Sequence, residues 1–219
     1  FLMLDKVART AQARDALLTF AQARADIAAD PGANAPLATL LGWVESYLMR
    51  EHPDLGRTGA VCPFTRQAAR IDTARLAICS AGPDEEERAF ALIRASFGAL
   101  DAIPCKPGMV HFRTVIVGFP NCGDERGVAM LQRVQKRLKF VSLRRFRMIG
   151  LMHPDSEAPG LWNPQFRPLR APFPVVAVRH MVEHDAPFAA RHPLLMLPYL
   201  ARFRMAGARR LIAHLRAGP

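Results

Sequence analysis

Two stretches of this sequence carry side chains whose types and spacing could do chemistry. The first is His52-Pro-Asp-Leu-Gly-Arg-Thr-Gly-Ala-Val-Cys-Pro-Phe64. The second is Gly150-Leu-Met-His-Pro-Asp-Ser-Glu-Ala-Pro-Gly-Leu-Trp-Asn-Pro-Gln-Phe-Arg-Pro-Leu-Arg170. His153 follows an apolar run (Met148, Ile149, Leu151, Met152) and should leave the end of a strand. An imidazole in that place serves as an axial metal ligand, as an acid–base group, or simply as a buried core residue. Cys62 stands before Pro63, and its thiol reads either as a soft ligand or as an inert buried sulfur. Arg57, Arg167, Arg170 and Arg179 lie in or beside the two stretches. Converging, they would pair with carboxylates of a substrate or cofactor; singly, each is a solvated charge or half of a structural ion pair. Phe64, Trp162, Phe166 and Phe173 could wall an apolar cofactor or belong to the core.

The 219 residues suit one generous domain, and half of them are hydrophobic with 22% charged. That composition is globular. No segment approaches the ~20 apolar residues needed to span a bilayer, and Asp5, Lys6 and Arg9 directly after Phe1–Leu4 do not read as a secretory leader. Four cysteines (Cys62, Cys79, Cys105, Cys122) show no CxxC spacing and point to reduced thiols and a cytoplasmic location. The formal charge is +11; of 30 basic residues only Lys6, Lys106, Lys136 and Lys139 are lysine. An arginine-rich balance suits bidentate binding of carboxylates and phosphates, or reflects genomic base composition alone. The run from Arg133 to Arg147 is basic and carries no nucleic-acid motif, so nucleic acid is not the expected partner. GxGxxG, P-loop, HExxH and GxSxG patterns are all missing. His180 and His184 are four apart, but 179–181 reads as strand, which argues against a helical metal pair; Asp185 could orient either ring.

The elements that must position these residues follow from periodicity. Residues 1–29 lack Gly and Pro and read as a helix that Pro31-Gly32 ends. Leu37, Leu40, Leu41, Val44 and Leu48 make one apolar face of a second helix over 36–51. Residues 52–70 read as an ordered loop, 73–79 as a strand, and a helix opens at Pro83 with Asp84, Glu85, Glu86 and Glu87 against its dipole. Strands at 110–118, 146–152 and 175–181, a helix over 124–140, and one or two helices over 187–216 complete the pattern. The six prolines of 153–174 forbid regular structure there. The expectation is a single α+β domain with a small mixed sheet packed with helices at both chain ends. It comprises an N-terminal helical arm (about 1–50), a core (about 51–200) and a C-terminal helix (about 201–217).

Three segments, HPDLGRTGAVCPF, GLMHPDSEAPGLWNPQFRPLR and VRHMVEHDAPF, resemble the signature of a bacterial domain of unknown function found in biosynthetic gene neighbourhoods. That resemblance covers most of residues 40–200. The middle segment is also distantly similar to the YqcI/YcgG family of haem proteins, which carries GLHP, then Ser, Asn-Pro and Gln-Phe before Leu-Arg. Here Met152 stands inside the GLHP spacing, and Cys62-Pro63-Phe64 inverts that family's upstream Pro-Cys element. The resemblance implies haem b as cofactor and haem-dependent N-oxygenation of a small amino-acid-like substrate in specialised metabolism, with an electron-donor protein as partner. It makes His153 the iron ligand and puts Asn163, Gln165 and Phe166 near the cofactor. Cys62 and Phe64 would close the pocket, and Arg167, Arg170 or Arg179 would hold propionates or the substrate carboxylate. No membrane partner is implied, and a homodimer is compatible. The alternatives are a non-catalytic haem carrier or sensor, a cofactor-free basic binding module, and a colourless enzyme built on His153 with Asp155 or Asp185.

Overall fold

The computed structural model describes residues 16–191 and 193–217. Thr19 opens the first described helix with a capping box: its hydroxyl accepts from the Gln22 amide, and the Gln22 side chain accepts from the Thr19 amide. Helix α1 therefore runs Phe20–Ala29, not from the chain start. Leu18 exchanges two backbone hydrogen bonds with Leu76 instead, while residues 1–15 of the expected helix lie outside the described residues. Helix α2 (Ala35–Trp43) buries Leu37, Leu40 and Leu41 as its spacing requires, then widens into a π-turn over Val44–Leu48. The short helix α3 (Thr65–Arg70) interrupts what reads as loop.

Four strands form one sheet: β1 (Ala74–Ile78), β2 (Thr114–Gly118), β3 (Arg147–Met152) and β4 (Val175–His180). Their order is β1-β2-β4-β3, with β1 and β2 parallel and β4 antiparallel to both its neighbours. The expected strand at 110–118 is shorter, because Val110–Phe112 coils into a 3-10 turn before the register with β4 begins at Thr114. Helix α4 (Glu86–Ala102) makes the β1–β2 crossover, and α5 (Glu125–Arg144) makes the β2–β3 crossover. Both lie on one face of the sheet. Ile93, Phe97 and Leu100 of α4 and Met130, Leu131, Val134 and Leu138 of α5 pack there against Val115, Val117, Ile149, Leu151, Val176 and Val178. The other face takes α1 and α2 through Phe20, Leu40, Val44, Leu76 and Ile116. Helix α6 (Ala186–Arg191) and helix α7 (Pro193–Ala217), which breaks at Arg204 with φ 47°, close the chain.

The acidic cluster does more than complement a helix dipole. Asp84 pairs with Arg126, Glu86 with Arg133 and Arg137, and Glu87 with Arg137, which ties α4 to α5. Two arginines of the basic run are thus paired within the fold. Burial also pulls the Lys139 pKa down. Among the described residues no helix is long and apolar enough to cross a membrane.

The chain ends β1, β2 and β3 at one rim of the sheet, where β4 begins. The 22-residue connection 153–174 leaves and re-enters the sheet at that rim. Gly118 lets it dock, since a Cβ there would lie 2.6 Å from the Phe173 ring. The Phe119 amide then donates to Pro174. Open α/β sheets carry their ligands at the carboxyl ends of parallel strands, so this rim is the natural place for a site.

Candidate functional site

At this rim the two chemistry-bearing stretches meet. Asn163 donates from its side-chain amide to the Asp54 carbonyl at 2.8 Å. Gly56 sits at φ 76° with its Cα against the Trp162 backbone, where a Cβ would lie 2.9 Å from the carbonyl carbon. Only glycine takes that conformation and that contact without strain. Gly56→Ala is therefore expected to cost about 1–3 kcal/mol through the positive φ and the clash together. Urea unfolding beside the wild-type protein checks this, and an unchanged midpoint would show that the loops dock elsewhere.

Between the docked stretches and α2 runs a groove of about 780 Å³. One wall is a chain of rings. Trp43 stacks on Tyr47 with centroids 6.0 Å apart, Tyr47 meets the His52 edge at 6.2 Å, and His52 lies on Phe166 at 4.5 Å. Tyr47 reaches this wall from the π-turn, whose extra residue per turn re-aims side chains relative to an α-helix. Burial pushes the Tyr47 phenol up from its ordinary pKa, with Arg170 pulling the other way. His52 is fixed by accepting the Asp54 amide on Nδ1 at 3.2 Å, so the neutral ring carries its proton on Nε2 and is a donor there.

The opposite wall holds Asn163, Gln165, Arg167 and Arg170. Asn163 Oδ1 accepts the Gln165 amide, an Asx turn that sets Phe166 on its course. Arg167 and Arg170 both reach Glu157, at 3.0 Å and 2.5 Å. Their hydrogen bonds hold the Glu157 carboxyl below its usual pKa. Two guanidinium groups share the Glu157 carboxylate, and Asp54 is the carboxylate that lines the groove itself.

Residues 37–213 match a family described as a domain of unknown function, DUF6875. The chain belongs to the DUF6875 family. No curated protein and no solved structure matches it. The DUF6875 match takes in α2 from Leu37 on, both stretches and the whole sheet, and leaves α1 outside.

Within the DUF6875 domain the expected site residues fall into three places. Asn163, Phe166, Arg167 and Arg170 line the groove, as does Gln165. Cys62, Phe64 and Arg179 gather around a different feature: the Arg179 guanidinium lies 5.8 Å from the Phe64 ring and forms a two-bonded ion pair with Asp185. Arg179 alternates with His180 along β4 and is bound to Asp185, not to the groove. His153 is half-buried at the head of the long connection, donating its amide to Leu169, and it is not among the groove-lining residues. Its Nδ1 is buried without a hydrogen-bond partner. Arg57 spends its guanidinium on the Thr58, Ala60 and Val61 carbonyls of its own loop.

The groove also recruits residues that the motif reading passed over: Trp43, Tyr47, His52 and Asp54. Trp43 and Tyr47 are four apart beside the apolar face of α2, a spacing that marks a shared edge but not a ligand wall. Among the described residues no group of three or more His, Cys, Asp and Glu could hold a metal. The cysteines are thiols, and burial, followed by Cys79, pushes the Cys122 thiol up to about 11, far from reactive.

Proposed function

We propose that the DUF6875 domain binds a flat small molecule bearing a carboxylate in the groove between its two long loops. The observation that supports this is the pairing of an unbroken ring wall (Trp43, Tyr47, His52, Phe166) with two adjacent guanidinium groups (Arg167, Arg170) on the facing lip. Rings prefer offset stacking with other planar groups. Arginine fits a carboxylate with two parallel hydrogen bonds. His52 adds an Nε2–H donor beside the stacking surface. An aromatic amino acid or a related acid has this chemistry, and specialised metabolism supplies many such compounds.

The test is equilibrium binding of indole-3-acetate, L-tryptophan and uncharged indole to the wild-type protein and to an Arg167→Ala/Arg170→Ala variant. The carboxylates are expected to bind at least about tenfold tighter than indole, a difference that one or two charge-assisted hydrogen bonds supply. The variant should lose that advantage and keep the indole affinity. Equal binding of charged and uncharged ligands, or no binding at all, would sink the proposal.

Haem is also a flat carboxylate, and the ring wall and arginines would suit its face and propionates. Iron asks for an imidazole nitrogen with a free lone pair, and the groove does not offer one. His52 uses its Nδ1 lone pair on Asp54 and bears its proton on Nε2. The groove as folded thus fits the propionates and not the metal, and no chemical step is drawn through haem. Haem-dependent N-oxygenation of an amino-acid-like substrate remains a second reading, resting on the likeness of segment 150–170. One observation favours it, the unpartnered buried Nδ1 of His153. It requires that added hemin give a Soret band that His153→Ala abolishes; a protein that stays colourless with hemin removes this reading and leaves the first intact.

A further inference from the structure

Half of the large hydrophobic side chains that stand exposed among the described residues belong to one helix, α7. They are Leu194, Leu197, Met205, Ile212 and Leu215, from 48% to 76% exposed. Apolar residues scattered singly over a surface are ordinary, whereas a set gathered on one element marks an interaction face. Spacing shows where they point. Before the break at Arg204, Leu195 and Tyr199 are the buried stripe, and at 100° per residue Leu194 and Leu197 fall on the far side. After it, Gly207 and Leu211 are buried, and Met205, Arg209, Ile212 and Arg216 recur at i, i+4, i+7 and i+11 on the outer side.

In a straight helix Tyr199 and Leu211 would stand about 120° apart. The break at Arg204 resets that phase, so both halves of α7 rest on the turn at Glu183–Asp185. Tyr199 donates its hydroxyl to the Glu183 carbonyl at 2.7 Å, and Arg210 reaches the Glu183 carboxylate at 2.9 Å. Gly207 lies against the Tyr199 ring, where a Cβ would come within 3.1 Å. The two outer faces therefore turn away from the same inner support.

The charge of this surface is of one sign. No acidic residue follows Asp185, and α7 carries Arg202, Arg204, Arg209, Arg210 and Arg216. Arg210 is paired with Glu183, and Arg202 lies over the Phe146 and Phe203 rings. Arg204, Arg209 and Arg216 are exposed and form no ion pair among the described residues. A second copy of the chain would set these cations against their own kind. An acidic polymer would meet the arginines and leave the leucines in water. An acidic bilayer takes both, the guanidinium groups at its phosphates and the apolar side chains below them.

We propose that α7 docks the protein on an anionic lipid surface, lying along the headgroups with Leu194, Leu197, Met205 and Ile212 dipped into the acyl boundary. Helices that combine arginine with exposed leucine and isoleucine bind there through buried apolar area and attraction to acidic lipids. Arginine buries its methylene stem and lifts its guanidinium to the interface, so Arg209 and Arg216 share a stripe with Met205 and Ile212. The helix lies on the bilayer and does not cross it, in keeping with its length and polarity.

The experiment is co-sedimentation of the full 219-residue chain with vesicles of equimolar phosphatidylglycerol and phosphatidylcholine, beside vesicles of phosphatidylcholine alone. Binding to the mixed vesicles only is expected. Met205→Ser/Ile212→Ser keeps the net charge and should weaken partitioning at least about tenfold, as should Leu194→Ser/Leu197→Ser. Arg209→Gln/Arg216→Gln should also weaken it at least about tenfold at low salt, while Arg167→Ala/Arg170→Ala should bind as wild type, which separates this face from the groove. Failure to sediment overturns the proposal. Sedimentation that both serine variants retain overturns it as well, because net charge alone then explains the adhesion. Light scattering without lipid tests the other occupants: a dimer that the serine variants dissociate gives the face to a second copy. Serine variants that unfold, or melt well below wild type without lipid, show the face covered by the chain itself. Either outcome overturns the bilayer.

Discussion

Asp185→Ala is expected to destabilise the protein by about 3–5 kcal/mol, the cost of removing one partner from a buried ion pair. For a chain of this size that lowers Tm by about 6–20 °C. Asp185 is 2% exposed and accepts three hydrogen bonds: two from Arg179, at 2.9 and 2.6 Å, and one from the Val182 amide at 2.8 Å. Burial opposes the charge on Arg179, yet the Asp185 carboxylate outweighs it and raises the guanidinium pKa. Without Asp185 the guanidinium stays charged, packed against Phe64, and the Val182 amide loses its acceptor. The double variant Arg179→Met/Asp185→Leu should recover much of the loss, because the desolvation cost vanishes with the pair. A double-mutant cycle by urea unfolding measures the coupling. A loss under about 1 kcal/mol for Asp185→Ala would put the pair in the class of surface ion pairs and leave the turn after β4 held by packing alone.

The sequence announced the elements whose signal is local. The apolar faces of α2, α4 and α5 lie at helical spacing, and the apolar runs of β3 and β4 are bounded by prolines or charges, so their existence and near-boundaries were readable. Asp124 caps α5 where expected, accepting the Gly127 amide. What was not readable depends on partners far along the chain. The start of β2 is decided by its register with β4, where Thr114 pairs with Arg179, 65 residues on. Helix α3 sits between turn-formers that conceal it. The π-turn that aims Tyr47 satisfies no sequence pattern. Composition did single out both long stretches, but their contact joins Asn163 to Asp54 across 109 residues. No spacing rule could have sent Arg167 and Arg170 to the groove and Arg179 to Asp185. Parity along β4 would have separated Arg179 from its neighbour His180, and only the register shows that His180 stands between Arg113 and Arg147.

That placement of His180 has a large consequence in acid. Burial, then Arg147, pushes the imidazole pKa down to about 4; Arg202 and Arg113 act the same way, and Asp101 acts against them. The native ring is therefore neutral where an exposed histidine begins to charge. Below about pH 6.5 the unfolded chain takes up a proton that the native state refuses, so stability present above that pH is lost as pH falls toward 4. The integrated loss is about 2 kcal/mol by pH 5 and about 3 kcal/mol by pH 4. Exposed carboxylates such as Glu86 and Glu157, held low by arginines, add their own losses only as pH falls through the carboxylate range. The window between pH 6.5 and 5 thus isolates the histidine. Urea midpoints at pH 7, 6 and 5 should fall steeply for the wild-type protein and stay nearly level for His180→Gln, whose amide oxygen can still accept from Arg147. An equal slope in both would assign the acid limb to other groups.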